Sequence, residues 1–350
     1  MTTTAKATVK REGRPTLKTI ARISGLAITT VSRALGDAPD ISLSTKERVR
    51  KIAQEIGYVP NRAGVRLRTG KTNVISLVLA TEQNTLNMTS ELISAISNGL
   101  QGTRYHLVMI PEPPNQDPLQ AIQNIVETRS ADAIIFNRVE PEDPRVVYLR
   151  SLNFPFVTHG RSRWSEDHSY FDFDNHAFGQ IAVETLAQRG RKRVLLLAPP
   201  MDQSYARDMV EGAVEAAEQC DLTLTVAKGV SSDSEKGDLI AGIWAYLEGP
   251  QSFDALISAS PNSTMLATAE VERAGFVLGK QFDIFTKETV PFIDLFRPAI
   301  LALQEDVQKA GAFLAKAAVH EITQKDGSHM QCIDEPVFLG KQVGLGSTIE

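Results

Sequence analysis

The sequence predicts an all-α helix-turn-helix headpiece followed by an α/β core of two doubly wound parallel-sheet subdomains. Helical periodicity interrupted by a glycine turn runs through residues 16–59, and short apolar strands alternate with helices from residue 73 onward. The charged residues are distributed unevenly about the same boundary. Residues 1–72 contain 15 Lys and Arg and 5 Asp and Glu, whereas the remainder contains 22 Lys and Arg and 37 Asp and Glu. A basic end on an acidic body is typical of a protein that presents that end to a polyanion.

Composition argues against membrane, secreted and metal-binding classes. No apolar run approaches the roughly 18 residues of a membrane span, and residues 1–16 lack the apolar stretch of a secretory signal. Cys220 and Cys332 are far apart and form no CxxC pair, so we expect thiols rather than a metal site. The expected location is the cytoplasm, with no membrane partner, no metal and no cofactor.

Residues 16–35 predict two helices packed across a tight turn. Gly25 can adopt the left-handed conformation that such a turn requires. The second helix is expected from about Ile28 to Leu35, with Val31 filling the angle between the helices and the opposite face left outward. The first helix should bury Leu17, Ile20, Ala21 and Ile23, and the outward face of the second consists of Ile28, Thr29, Ser32 and Arg33.

A third helix is predicted to begin at a capping box formed by Ser44 and Glu47 and to end at Gly57. Asn61 is then a candidate N-cap for a short helix. This helix would be only marginally stable in isolation, and it is expected to form only on DNA, beside the same helix of a second subunit. The apolar stripe of the third helix is Val49, Ile52, Ala53 and Ile56, and its basic residues Lys46, Arg48, Arg50 and Lys51 are expected mostly in solvent.

From residue 72 onward, the alternation predicts parallel sheets wound by helices on both faces. This portion is long enough for two such subdomains with a cleft between them. Strands are expected at 74–79, 105–110, 133–136, 156–158, 194–197, 223–226, 256–258, 282–285 and 300–302, and helices at 89–100, 119–127, 178–189, 208–219, 239–247, 265–274 and 306–324.

The N-terminal pattern resembles the LacI/GalR family of bacterial transcription regulators. The resemblance is continuous through TLKTIARISGLAITTVSRAL, at residues 16–35, and STKERVRKIAQEIGYVPNRAGVRLR, at residues 44–68. The rest is similar, more loosely, to the family's effector-binding core, which is built like periplasmic sugar-binding proteins. That similarity rests on residues 153–161, 173–190 and 191–197.

The resemblance implies a domain plan and a set of DNA contacts. It implies a disordered basic tail at 1–15, a helix-turn-helix domain at 16–59, a hinge helix and linker at 60–72 and a core at 73–350. The core would cross between subdomains near residues 173, 299 and 326, giving an N-subdomain of about 73–172 and 300–325 and a C-subdomain of about 174–298 and 327–350. Lys18, Ile28, Thr29 and Arg33 would face major-groove bases, Ser32 and Asn61 would hold phosphates, and Leu67 and Arg68 would enter the minor groove.

The carboxyl ends of the strands and the family resemblance converge on one set of candidate ligand contacts. Carboxylate, guanidinium and amide groups suit a polyol, because each can reach two hydroxyls. Met209 stands where the family often has an arginine, and Arg207 is the candidate substitute. The set is Thr81, Asn137, His159, Arg161, Asp174, Tyr205, Arg207, Ser260, Asn262, Lys287 and Glu288.

These features predict a sequence-specific repressor of carbohydrate-utilisation genes. A small sugar, with a disaccharide or glucoside favoured, is expected to release it from a palindromic operator that a homodimer reads. A corepressor-dependent regulator that senses a non-sugar metabolite remains open. A periplasmic sugar-binding protein is disfavoured by the basic helical head, and an enzyme by the absence of GxGxxG, P-loop and HExxH motifs.

Overall fold

The computed structural model describes residues 15–59, 66, 70–80, 86–113, 116–249, 252–289, 292–324, 326–336 and 338, without the side chains of 86–88, 294 and 296. The chain divides into two compact units, Met1–Thr72 and Asn73–Glu350. Among the helices described in either unit, none combines the length and the apolar character needed to cross a membrane.

Within residues 15–59, the first unit contains three short helices around a small apolar core. They are α1 (Leu17–Ser24), α2 (Ile28–Leu35) and α3 (Leu43–Glu55). Gly25 has φ +69° and ends α1, as a tight turn between helices requires. Arg48 of α3 donates from Nη2 to the carbonyl oxygen of Ser24 at 2.6 Å, which ties the third helix to the end of the first. The fully buried core side chains are Ile20, Val31, Ala34 and Val49.

Three sequence-based expectations for this unit are wrong. Ser42, not Ser44, caps α3, because the helix begins at Leu43 and the Ser42 Oγ accepts from the amide of Thr45 at 3.4 Å. Lys46 is only 7% exposed, because its ammonium turns inward to Asp37, 3.1 Å from Oδ1. Ile23 is 47% exposed, because α1 buries the edge that carries Ile20 and Ser24.

The described part of the second unit contains two parallel sheets with their helices. The strands are β1 (Val74–Ala80), β2 (His106–Glu112), β3 (Ala133–Asn137), β4 (Phe156–His159), β5 (Ser169–Phe173), β6 (Arg193–Leu197), β7 (Thr223–Val226), β8 (Ala255–Ser258), β9 (Asp283–Glu288), β10 (Leu301–Gln304) and β11 (Gln331–Asp334). The first sheet has the order β11-β5-β4-β3-β1-β2, and the second has the order β10-β9-β8-β6-β7.

Helices cover both faces of each sheet, as the alternation predicted. They are α4 (Leu86–Gly99), α5 (Pro118–Glu127), α6 (Pro144–Ser151), α7 (Asn175–Gln188), α8 (Ser204–Gln219), α9 (Lys236–Leu247), α10 (Pro261–Arg273), α11 (Phe292–Phe296) and α12 (Val307–Thr323). Apolar clusters with α4 and α12 fill one face of the first sheet and clusters with α5 and α6 the other. The second sheet is enclosed by α7 and α8 on one face and by α9 and α10 on the other.

The structure corrects two predicted crossovers and adds four elements. β10 lies in the second sheet beside β9, so the chain leaves that sheet after residue 304 rather than near 299. β11 pairs with β5, with Gln331 opposite Tyr170, so residues 331–334 belong to the first sheet and not to the C-subdomain. Phe338 then packs on Phe285 of the second sheet, 5.2 Å between ring centroids, which puts the third crossing between 334 and 338 rather than at 326. The elements α6, α11, β5 and β11 were not predicted.

Candidate nucleic-acid interface and ligand cleft

The outward face of α2 carries the predicted major-groove residues. Ile28 is 43% exposed, and Thr29 and Arg33 are also exposed, although each belongs to a helix whose Val31 and Ala34 are fully buried. Lys18 of α1 is exposed and Ser32 of α2 is half-buried. Asn61, Leu67 and Arg68 lie outside the described residues.

Arg33 has a partner within the first unit. Its Nη2 lies 2.5 Å from Oδ2 of Asp40, and both side chains are about half exposed. An exposed ion pair of this kind contributes little to stability, because water and salt screen it. The guanidinium can therefore exchange Asp40 for another acceptor, such as a base edge or a phosphate, at small cost.

In the second unit, the carboxyl ends of the two sheets meet. Each sheet has a topological switch point, between β1 and β3 in the first and between β6 and β8 in the second, where strand order reverses. Side chains near the carboxyl ends of β4, β5, β9 and β10, and in the first turns of α8, come together in what we call the cleft cluster. Its members are His159, Arg161, Asp172, Tyr205, Asp208, Lys287 and Glu305, of which His159, Arg161, Tyr205 and Lys287 were predicted.

Lys287 of β9 is the centre of one half of the cleft cluster. Its ammonium lies 2.8 Å from Oε2 of Glu305 and donates to Oδ1 of Asn175 at 3.1 Å. The ammonium also lies 4.8 Å from the ring centroid of Phe173 and 5.7 Å from that of Tyr205, within reach of a cation–π attraction. This ammonium is therefore held from several directions in a largely buried position.

Glu305 and His159 are the buried partners in that half. Burial alone would raise the pKa of the Glu305 carboxyl, but the Lys287 ammonium and, to a smaller extent, His159 outweigh burial, so the pKa falls below its usual value. Burial lowers the pKa of His159, whose Nε2 lies 3.7 Å from Oε1 of Glu305. A neutral imidazole beside a carboxylate can offer one N–H and one acceptor to a ligand hydroxyl.

Arg161 is the centre of the other half. Its Nε donates to Oδ2 of Asp172 at 2.6 Å, and its Nη2 donates to Oδ2 of Asp208 at 2.9 Å. Burial raises the pKa of Asp172 to about 7, although Arg161 acts in the opposite direction. Burial also raises the pKa of Asp208. One guanidinium therefore joins a carboxylate of the first sheet to a carboxylate of α8.

Two further contacts join the carboxyl ends of the sheets. Nη2 of Arg138, which follows β3, lies 3.4 Å from Oδ2 of Asp233 in the segment after β7, and both side chains are mostly buried. The backbone amide of Ser204, at the start of α8, donates to the carbonyl oxygen of Val139 at 2.9 Å. The described arrangement is thus a closed one, with polar groups of the two subdomains in direct contact.

Other predicted ligand residues make local contacts. Glu288 is only 2% exposed and accepts from the amide of Ile293 at 2.9 Å, so its carboxylate caps α11. The Oδ1 of Asp174 accepts from the amide of Ala177 at 2.9 Å, and Ser260 caps α10. Asn137 and Asn262 are half-buried, and Thr81 lies outside the described residues.

Arg207 does not take the place of the expected family arginine. It is exposed, and its Nε donates to the carbonyl oxygen of Met201 at 3.1 Å. Met209 is fully buried in the core against the second sheet. Asp208, which lies between these two residues, belongs to the cleft cluster and was missed by sequence reasoning.

The missed residues share one feature, because their partners are distant in sequence. Asp172 and Asp208 are paired through Arg161, and Glu305 is paired with Lys287. Asp172 lies within a strand that was not predicted. A signal was available only for Glu305, which lies three residues after the predicted strand at 300–302, on the side where ligand residues of parallel sheets lie.

Comparisons with known proteins agree with this architecture. Residues 16–61 match the family described as "Bacterial regulatory proteins, lacI family", and residues 72–330 match "Periplasmic binding proteins and sugar binding domain of LacI family". The HTH-type transcriptional regulator RafR of Escherichia coli is 32% identical over 76% of this chain and 79% of its own length. The HTH-type transcriptional regulator AglR of Rhizobium meliloti is 28% identical over 87% of this chain and 86% of its own.

Solved structures share the fold. A complex of the transcriptional regulator CelR with cellobiose has a TM-score of 0.68 at 20% identity and covers 95% of this chain and 100% of its own. The Lac repressor dimer bound to operator and an anti-inducer has a TM-score of 0.75 at 17% identity and covers 92% of this chain and 97% of its own.

Proposed function

The chain belongs to the LacI family of bacterial regulatory proteins, and from that premise we propose that it represses carbohydrate-utilisation genes and leaves a palindromic operator when a small uncharged saccharide binds in the cleft. The observation that carries the proposal is the coexistence, in one chain, of an outward-facing helix α2 and a two-sheet core whose strand ends gather hydrogen-bonding groups. The outward-facing helix can contact base edges in DNA, and the hydrogen-bonding groups at the strand ends can bind a polyol.

The DNA-binding part of the proposal assigns roles within residues 16–72. Residues 16–59 form the reader, and residues 60–72 act as the hinge and linker. The exposure of α2 supports base contacts by its outward residues, and the basic character of residues 1–72 supports phosphate contacts. Lys18, Ile28, Thr29 and Arg33 contact bases, Ser32 and Asn61 hold phosphates, and Leu67 and Arg68 enter the minor groove at the operator centre.

The charges of the cleft support an uncharged effector. Among the described residues, Arg138, Arg161 and Lys287 lie within 3.5 Å of carboxylates, so each of these cations already has an anionic partner. A phosphorylated or acidic sugar would have to displace those carboxylates to reach the cations, whereas hydroxyls can accept from the guanidinium and donate to the carboxylates. The cellobiose in the CelR complex supports a disaccharide or glucoside here.

A homodimer completes the proposal, since one headpiece reads only half of a palindrome. Exposed apolar side chains at two places on the core offer contacts for a second copy. Val108 and Met109 of β2, at the edge of the first sheet, are 44% and 51% exposed. Phe292 and Leu295 of α11 are 50% and 79% exposed. Apolar residues grouped at a surface are typical of subunit interfaces.

The proposal is tested with the full chain and the DNA upstream of its own gene. We expect fluorescence anisotropy to detect a site preferred over random duplex at physiological salt, and calorimetry to find one saccharide that binds the protein and releases that site. Disaccharides and their 6-phosphates form matched pairs, and only the uncharged members should bind. Absence of any preferred site, with and without the saccharides, would refute the regulatory role. Operator binding that requires the saccharide would identify a corepressor instead.

A further inference from the structure

Arg161 links the two subdomains of the core through a pair of carboxylates. It follows β4 of the first sheet and is fixed there by Asp172, a β5 residue that is only 4% exposed. Its Nη2 reaches Asp208, which lies on α8. That helix is packed on the second sheet through fully buried residues such as Met209 and Ala213. The contact with Asp172 stays within one subdomain, and the contact with Asp208 spans the cleft.

The contact with Asp172 lowers the entropy cost of the contact with Asp208. An arginine loses much rotamer entropy when it is ordered, and this loss often cancels the gain from an exposed ion pair. Here the buried carboxylate already orders the guanidinium, so the second hydrogen bond forms with a side chain that is preorganised. The Arg161 and Asp208 side chains are 31% and 30% exposed, so salt can still screen the pair.

We propose that Asp208 is a latch residue, whose ion pair with Arg161 stabilises the closed arrangement of the core and thereby positions Arg161 at the effector site. The position of Arg161 at an effector site rests on the proposed function, whereas the latch itself can be tested without any effector. A more stable closed state means that a ligand enclosed by it dissociates less readily. Asp208 thus contributes to the effector response by stabilising the closed cleft.

A backbone amide next to the latch reports whether the cleft is closed. The Ser204 amide belongs to the first residue of α8, where no helix carbonyl is available to it, and it donates instead to Val139 of the other subdomain at 2.9 Å. Opening of the cleft must break this bond. Hydrogen exchange at Ser204 therefore measures the open population of the ligand-free protein.

The experiment compares hydrogen exchange of the full-length protein with that of Asp208→Asn, without effector. We expect exchange at Ser204 to rise roughly threefold to tenfold, as loss of a partly exposed ion pair should allow. Glu218→Gln changes an exposed carboxylate on the same helix and should leave this exchange unchanged. Amides of β1 should stay protected in both variants, which shows that the core remains folded.

A substitution in the other subdomain distinguishes opening of the cleft from local fraying of α8. Arg161→Gln should raise exchange at Ser204 by a similar factor, and the double variant should add little, because both changes remove one interaction. Raising NaCl from about 50 to about 500 mM should increase exchange in the wild type and not in Asp208→Asn. Additive effects, or equal salt dependence in both proteins, would overturn the latch. A protein that fails to bind an operator or saccharide but shows the coupled exchange would refute the proposed function alone.

Discussion

Asp172 is the residue at which burial and ion pairing oppose each other most directly. Its carboxyl group is almost fully buried in β5, and burial raises its pKa to about 7, while Arg161 at 2.6 Å favours the charged form. The like charge of Asp208 adds to the increase. A carboxyl group with such a pKa changes its charge near neutral pH.

The pKa of Asp172 predicts a pH-dependent effect on stability. The folded pKa of about 7 exceeds the ordinary value of 3.8, so the stability that this group contributes is fully present below about pH 4 and is lost as pH rises towards 7. Asp172→Asn removes that titration. Its free energy of unfolding relative to the wild type should therefore increase by on the order of 2 kcal/mol between about pH 5 and about pH 8. Urea unfolding at both pH values measures this, and a constant difference would contradict the raised pKa.

At the surface of α2, Arg33 and Thr29 are predicted to determine operator choice. Replacement of either by Ala should cost about 1 to 3 kcal/mol at particular base pairs and relax the preference there. Competition with operators substituted at each position measures this. The control is Lys51→Ala, which removes an exposed basic side chain from α3 and should weaken binding to all DNA sequences similarly. An unchanged preference in Arg33→Ala and Thr29→Ala would argue against base reading by α2.

The sequence alone could identify those site residues that follow predicted strands. His159, Arg161 and Lys287 were found because parallel strands bring their carboxyl ends to one edge. Asp172 and Asp208 could not be found, because their role depends on a guanidinium that lies 11 and 47 residues earlier in the chain. Glu288 differs from the expected ligand contact, since its carboxylate caps a five-residue helix that the sequence did not reveal.

Among the elements, α8 carries Tyr205 and Asp208 of the cleft cluster, and α7 begins at Asn175, whose Oδ1 accepts from Lys287. The close approach of α7 and α8 depends on glycines. A Cβ added at Gly212 would lie 2.1 Å from the carbonyl oxygen of His176, and one at Gly179 would lie 2.3 Å from that of Met209. The N-terminal halves of the two helices, which carry Asn175 and Asp208, are therefore held at a separation that only glycine permits.

Gly212→Ala is predicted to be destabilising, because the methyl group would force the backbones of α7 and α8 apart. The loss should exceed about 2 kcal/mol in the free energy of unfolding. Gly237→Ala is a matched control, since an added Cβ in α9 meets nothing within 4 Å and alanine favours the helix, so stability should be unchanged or slightly higher. Thermal unfolding of the two variants measures the contrast. Equal stability would show that the two helices can separate freely.

Elements with strong patterns were predictable and edge elements were not. The largely apolar strand β1, with five buried residues in its interior, gave a clear signal, as did the 17-residue helix α12. β11 is a four-residue edge strand with two exposed residues, Gln331 and Ile333, so its pattern barely differs from that of a loop. β5 carries Asp172 in its interior, which weakens the apolar run that identifies a buried strand.

For the whole molecule, strand–helix alternation predicted two doubly wound sheets correctly. The distribution of Lys, Arg, Asp and Glu along the chain was enough to separate a basic part from an acidic one. The crossover positions were harder to predict, because the sheet to which β10 or β11 belongs depends only on the strand with which it pairs. Pairing between distant segments depends on tertiary packing and leaves little mark on local sequence.

The proposed homodimer leads to a prediction about the edge of the first sheet. Met109 of β2 is 51% exposed beside Val108, so Met109→Asp should leave the folded subunit intact and weaken dimerisation by more than about tenfold. Val147→Asp, at a 46% exposed apolar residue of α6, is the control outside the proposed face.

Sedimentation velocity gives the dimer dissociation constant, and fluorescence anisotropy compares binding to a full palindrome with binding to one half-site. Met109→Asp should lose affinity for the full palindrome while half-site affinity stays the same, since each headpiece is unchanged. If Met109→Asp remained dimeric while Val147→Asp dissociated, the subunits would have to meet through α6 instead of β2.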